Sequence, residues 1–251
     1  MVWVAKPFPT VPGLDIAPPR IAKRLWSVKL HQLINDRWSY FERSFVDSVE
    51  RVYGSMGVEE AIRFVVEVFE YPLYLGIVPT DWHSFDGFRL WFLPPIQRID
   101  IELDYWRSAA ESMLFYEATG KGVGDCEDCS ILLGAAMKLL GVDYYVCMGM
   151  VYRGSELLGG HAWVLASIDG SWRLVETTLD RMPRSFPEVD VDSNVYVVGD
   201  LRYEAMLRFN HIRYEEWGEE GDRFAEYLGL DPRRKRGRRK LRAIRSSWAR
   251  A

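Results

Sequence analysis

The chain has 251 residues, 48% of them hydrophobic and 14% aromatic, which is enough apolar material for one domain with additions to bury a sizeable core. No apolar run approaches the roughly 20 residues of a membrane-spanning helix, and the prolines of MVWVAKPFPTVPGLDIAPPR break up a secretory signal; the expected setting is cytoplasmic, with no membrane partner. The formal charge of −4 hides an asymmetry: the last 21 residues hold ten Arg or Lys and one Asp, a local +9, which leaves −13 on residues 1 to 230.

Residues 1 to 19 read as an extended lead-in, because their prolines and Gly13 leave little room for regular structure. From about Arg20 to Phe69 apolar residues recur at spacings of three and four in IAKRLWSVKLHQLI, WSYFERSFVDSVERVYG and VEEAIRFVVEVF, which predicts helices, with Gly54 and Gly57 separating the last two. Residues 70 to 104 are aromatic and proline-bearing and predict a packed loop region. A further helix is expected from about Ser108 to Ala118, followed by the loop ATGKGVGD and the stretch GDCEDCS.

Beyond GDCEDCS the period changes. Residues 131 to 140 continue a helix closed by Gly141, after which VDYYVCMGMVY, HAWVLASI and SWRLVETT alternate as strands. Asp169-Gly170 between the last two is a two-residue hairpin signal, since both residues tolerate positive φ. The division that follows is residues 1–103 as lead-in, helices and aromatic region, residues 104–230 as a core with a C-terminal helical addition, and residues 231–251 as a basic tail.

The three cysteines, Cys126, Cys129 and Cys147, are too few and too oddly numbered for a disulfide framework and read as thiols. On a helical wheel with Cys126 at zero, Ile131, Leu132, Ala135, Ala136, Leu139 and Leu140 fall between about 140° and 320°, and Cys129 lies inside that arc at about 300°. Cys129 is therefore expected in the core, and Cys126 at the edge of the arc and at the helix start, where unpaired N–H groups and the helix dipole favour a thiolate and lower the thiol pKa. A thiolate nucleophile needs a proton-transferring partner. With the turn at Asp169-Gly170, strand partners sum to 339, pairing Ile168 with Ser171, Trp163 with Glu176 and His161 with Thr178. That register puts His161 and Glu176 on one face as diagonal neighbours, roughly 7 Å apart.

The order of these parts, a cysteine in GDCEDCS, 35 residues to the histidine of HAW and 15 more to the acid of WRLVETT, resembles the transglutaminase-like superfamily of papain-like thiol enzymes. The lead-in DYWRSAAESMLFYEATGKG is similar to that of microbial members, and the resemblance covers about residues 104 to 180. It implies an α+β fold, a central helix delivering the nucleophile Cys126 onto an antiparallel sheet that delivers the base His161 and its orienting acid Glu176. It also implies an oxyanion donor upstream, Trp106 in preference to Trp91. This chain carries Glu176 where many members carry Asp.

The implied activity is cysteine-dependent hydrolysis of amide bonds in a protein or peptide substrate, peptidase-like, through a thioester. One alternative is transglutaminase-type acyl transfer to an amine. Another is a non-catalytic assembly protein that keeps the fold and binds nucleic acid or an acidic protein surface through residues 233–250. A thioredoxin-like CxxC pair is disfavoured because helices, not a βαβ unit, precede the motif. A zinc site is disfavoured because only Cys147 and His161 remain as further ligands. No cofactor or metal is expected. Cys147 reads as core, His31 and His211 as ordinary surface or half-buried residues, and His83 as a weaker candidate for lining a cleft.

Overall fold

The computed structural model describes residues 2–15, 24–70, 106–179, 182–183, 185–228 and 230. Helices pack on an antiparallel sheet, an α+β architecture, and among the described residues no helix is long and apolar enough to cross a membrane. The aromatic region with His83 and Trp91 and the basic tail at 233–250 lie outside the described residues.

The N-terminal expectations need correction. Instead of an irregular lead-in, β1 (Trp3–Lys6) runs along the edge of the main sheet, and β2 (Thr10–Asp15) forms a hairpin with β3 (Arg24–Lys29), where IAKRLWSVKL was expected to be helical. Val11 pairs with Val28 across that hairpin and is buried, so cross-strand pairing with a core contact overrides the helical spacing. Only the short α1 (Gln32–Asn35) remains of that helix.

The next two helices match their sequence signals. In α2 (Trp38–Tyr53), Phe41, Phe45 and Val49 form a buried i, i+4, i+8 stripe, and Gly54 ends the helix at φ +80. Gly57 caps α3 (Val58–Val68), which leads into β4 (Phe69–Glu70). Ser108 and Glu111 form a reciprocal capping box at the start of α4 (Ala109–Thr119), after which β5 (Gly122–Val123) pairs with β4. Helix α5 (Cys126–Leu139), which begins at Cys126, is surrounded by these elements and the sheet, and eleven of its fourteen residues are buried.

Three long strands follow: β6 (Tyr144–Arg153), β7 (Glu156–Ile168) and β8 (Ser171–Val175). Asp169 and Gly170 turn the second hairpin at φ +54 and +80, and the observed pairs Ile168–Ser171 and Val164–Val175 keep the register read from the sequence. The further pairs expected at Trp163–Glu176 and His161–Thr178 are absent from the ladder, which stops at Val175. The reason is local: the backbone N–H groups of Thr177 and Thr178 donate to the Glu176 side chain at 2.9 and 3.1 Å.

Where the sequence pointed to a helical addition, the sheet itself grows. Strands β9 (Val195–Val198), β10 (Leu201–Phe209) and β11 (Tyr214–Trp217) precede the only expected feature of that region, helix α6 (Gly218–Tyr227). The sheet order is β1-β11-β10-β6-β7-β8, with β9 sharing an edge of β10 with β11. One face presents Val146, Val164 and Val175, each fully buried and paired in that order, to α5. Gly134 lets α5 come close, since a Cβ there would meet Val146 at 2.8 Å. The other face carries a second cluster of Tyr145, Cys147, Trp163, Leu174, Tyr196 and Tyr203.

Candidate active site

Helix α5 begins in a polar knot built by its own first residues. Asp125 caps it by accepting from the Asp128 N–H at 3.2 Å. Asp128 points outward to Arg107, taking its backbone N–H at 2.8 Å, its Nε at 2.7 Å and its Nη2 at 2.6 Å. Both side chains are buried, so the pair is a three-bond, desolvated clasp. It fixes the segment 106–108 from one side while Ser108 caps α4 from the other. Trp106, expected from the resemblance as an oxyanion donor, is buried in that segment beside the clasp.

On the sheet, the His161 Nε2 meets Glu176 Oε2 at 2.8 Å, two groups that the hairpin had predicted as neighbours. Glu176 is held on all sides. Its Oε1 accepts from Thr177 N, Thr178 N and Thr178 Oγ1 at 2.9, 3.1 and 2.9 Å, and its Oε2 also accepts from the Tyr203 hydroxyl at 3.2 Å. Burial pushes the carboxyl up, but the His161 charge and hydrogen bond and the Thr178 donors outweigh it and bring Glu176 down to about 2. For His161 burial works in the lowering direction, and the Glu176 carboxylate, with help from Glu127, raises the imidazole above its ordinary value of 6.5. Because Nε2 is engaged with Glu176, Nδ1 is the nitrogen left for proton exchange.

Cys126 and His161 approach one peptide unit. The N–H of Ala162, the residue after His161, is directed at the Cys126 sulfur. A tie between the fully buried hydroxyls of Ser130 and Thr177, 3.0 Å apart, fixes α5 to the segment that carries Glu176.

The electrostatics of the thiol overturn one expectation. The Cys126 pKa is raised well above 9.0, by burial first, then by the Glu127 and Asp125 carboxylates and the hydrogen bond to Glu127, with the Ala162 N–H opposing. A helix terminus offers an anion about 0.3–1 kcal/mol, whereas stripping an ion of water costs several kcal/mol. Burial and two neighbouring acids therefore win, and the resting thiol is protonated. The inequality of the two cysteines keeps its other half: Cys129 is 1% exposed against 7% for Cys126. Cys147 is fully buried in the cluster on the other face of the sheet, which pushes its thiol up to about 12.

Of the other histidines, His31 packs on Phe8 at 4.5 Å and His211 meets the Tyr144 hydroxyl at 3.1 Å; neither joins the His161–Glu176 pair. Among the described residues no group of three or more His, Cys, Asp or Glu is arranged to hold a metal ion. Tyr203, Glu127 and the Arg107–Asp128 clasp escaped the sequence reading. Nothing in LRYEAM singles out Tyr203, which arrives from β10 by the sheet order, whereas Glu127 stood next to the cysteine in plain view.

Tyr203 helps hold the Glu176 carboxylate through its hydroxyl, its ring 6.4 Å from that of His161 and 5.2 Å from that of Trp163. Tyr203→Phe removes a donor to a charged acceptor and is expected to cost about 1.5–3 kcal/mol of stability. With one donor fewer on Oε2, the carboxylate pulls harder on His161, so the imidazole should titrate at higher pH when followed by NMR. An unmoved His161 titration would reduce Tyr203 to packing.

No protein-family model matches the chain, and no curated protein matches it. Among solved structures it is similar to Legionella pneumophila LapG, at 13% identity and a TM-score of 0.38 over 80% of this chain and 87% of that one. The EGTA-treated form of LapG gives 14% identity and a TM-score of 0.38 over 79% and 89%. A proposed cysteine protease from Cytophaga hutchinsonii gives 14% and 0.32 over 61% of this chain and 46% of its own. With TM-scores this low, the chemistry of the site rests on its own residues.

Proposed function

We propose that the chain is a cysteine-dependent hydrolase of amide bonds in a peptide or protein substrate, with Cys126 as nucleophile, His161 as proton carrier and Glu176 as its orienting acid. The observation that carries the reading is the half-buried 2.8 Å His161–Glu176 contact, one peptide bond from the N–H directed at the Cys126 sulfur. Because the resting thiol is protonated, its proton passes to His161 Nδ1 as the sulfur attacks the carbonyl. The carbonyl π pair moves to oxygen, where the backbone N–H of Cys126 and the indole N–H of Trp106 are the candidate donors. The tetrahedral adduct collapses, the C–N bond breaks and the imidazolium protonates the leaving amine, which leaves a thioester on Cys126. Water, deprotonated by His161, then attacks the thioester, and the departing sulfur recovers the proton.

Two measurements test this. Iodoacetamide at mildly alkaline pH should alkylate Cys126 in the folded protein ahead of Cys129 and Cys147, as mapped by mass. Incubation with an unfolded protein mixture should create new N-termini that Cys126→Ala does not create. Equal inertness of all three thiols together with no new N-termini would remove the proposal. Adding hydroxylamine separates the two acyl acceptors: hydroxamate formed faster than free acid at modest amine concentration would favour acyl transfer over hydrolysis.

A further inference from the structure

Strand β7 outruns its partner on one side. Among the described residues it pairs only with β6 before Val164, because the ladder to β8 ends at Val164–Val175 and the chain beyond turns its N–H groups onto the Glu176 side chain. Backbone groups of alternate residues in a strand face opposite edges. The Ser167 N–H donates to Asp143 on the β6 side, so Ala166, Val164, Ala162 and Gly160 turn theirs the other way. The register shift at Val151 lies beyond Gly160, so the alternation holds that far. The Ala162 N–H follows it, reaching the Cys126 sulfur.

Gly160 therefore holds its N–H and C=O toward the same edge as the sulfur, about 7 Å along the strand from Ala162. It is exposed, and among the described residues nothing bonds to it on that side. Among the same residues, a Cβ at Gly160 would meet only the Gly149 carbonyl oxygen, at 3.9 Å, and one at Gly159, held at φ +150, would meet nothing within 4 Å. Open glycines in a strand mark a place where another backbone can come close. Residues 157–160 read Leu-Leu-Gly-Gly, without the lysines, prolines or inward charges that keep a bare sheet edge from pairing.

We propose that Gly160 binds the main chain of an extended substrate, which adds to β7 as an antiparallel strand in the place that β8 leaves. The proposal rests on Cys126 being the nucleophile. The ladder it continues is antiparallel, and an antiparallel partner residue exchanges both bonds with Gly160: its N–H donates to the Gly160 carbonyl, and its carbonyl accepts the Gly160 N–H. With the scissile carbonyl at the sulfur, level with Ala162, the residue opposite Gly160 lies about two places further along the substrate, on the leaving-amine side. The substrate class is then an internal stretch of unfolded polypeptide. A folded helix or sheet has already committed its backbone groups, and a C-terminal residue or a small amide has nothing to place at Gly160.

The test uses the intact protein and a library of tryptic peptides from a denatured proteome, with new termini mapped by mass and Cys126→Ala as the blank. Cleavage should require at least two residues after the scissile bond, and proline, which has no N–H, should be depleted about tenfold or more at the second of them. Gly160→Pro, whose lost N–H faces an edge that no described strand occupies, should slow cleavage of the library about tenfold while Cys126 still reacts with iodoacetamide. The proline profile is read on the unaltered protein, so it decides even where Gly160→Pro does not fold. Release of single C-terminal residues, free acceptance of proline at the second position, or an undiminished rate in Gly160→Pro overturns this inference alone. Cleavage of no peptide overturns the hydrolase reading, and this inference with it.

Discussion

Replacing Glu176 with glutamine is expected to lower kcat/KM for peptide hydrolysis on the order of 10³- to 10⁴-fold while the protein stays folded, because an amide in this pocket enforces the wrong imidazole tautomer. The Oε1 position takes three donors, from Thr177 N, Thr178 N and Thr178 Oγ1, so the glutamine oxygen must lie there and its NH₂ must face His161. Nε2 then becomes an acceptor, the proton moves to Nδ1, and the nitrogen needed to receive the thiol proton is already protonated. Flipping the amide restores the tautomer but sets an NH₂ against two backbone N–H groups. Nitrogen NMR of His161 should show the tautomer change directly. A rate loss of less than about tenfold would mean that Glu176 does not orient the base.

The same variant changes how stability depends on pH. Glu176 titrates at about 2 in the folded protein against an ordinary 4.5, so its contribution is present above about 4.5 and is lost as pH falls toward 2. His161 is raised above 6.5, so its contribution is complete below that value and is lost as pH rises through the folded one. The pair therefore stabilises most between about pH 4.5 and 6.5, by about 3 kcal/mol from the Glu176 shift. Urea unfolding of wild type and Glu176→Gln should differ most in that window and converge as the acid limb is lost; a pH-independent difference would contradict the assignment.

The parts of this site that the sequence exposed are those set by local rules. Asp169-Gly170 fixes a two-residue turn, the turn fixes the register, and the register alone brings His161 toward Glu176. The wheel through α5 separates Cys129 from Cys126 because one helix has one buried arc. What stayed hidden depends on partners distant in sequence. IAKRLWSVKL satisfies a helical spacing as well as a strand, and the choice falls to Val11, from a segment whose prolines argued against structure. Tyr203 reaches Glu176 only because β10 lies beside β6. The thiol pKa was misjudged for a related reason: the helix terminus is visible in sequence, while the burial that outweighs it comes from the whole fold.

Arg107 and Asp128 make the strongest case for a pair that serves position more than stability. Cutting either side chain to alanine leaves its partner's charge buried and unmatched, an expected loss of about 3–5 kcal/mol. The double variant Arg107→Met/Asp128→Leu removes both charges and should regain most of that, short of about 1–3 kcal/mol for the Arg107 N–H, which loses its acceptor at 2.8 Å. Urea unfolding of the four proteins measures this. The reactivity of Cys126 toward iodoacetamide, measured on the same four, should fall with either single change and stay low in the double. Its loss would follow from the freed 106–108 segment, which carries Trp106 and borders the first turn of α5. If the double variant recovers stability and reactivity together, the clasp is only a buried ion pair that a hydrophobic contact can replace. If stability returns and reactivity does not, the buried charge is retained because it holds the nucleophile's helix and the Trp106 segment in one geometry.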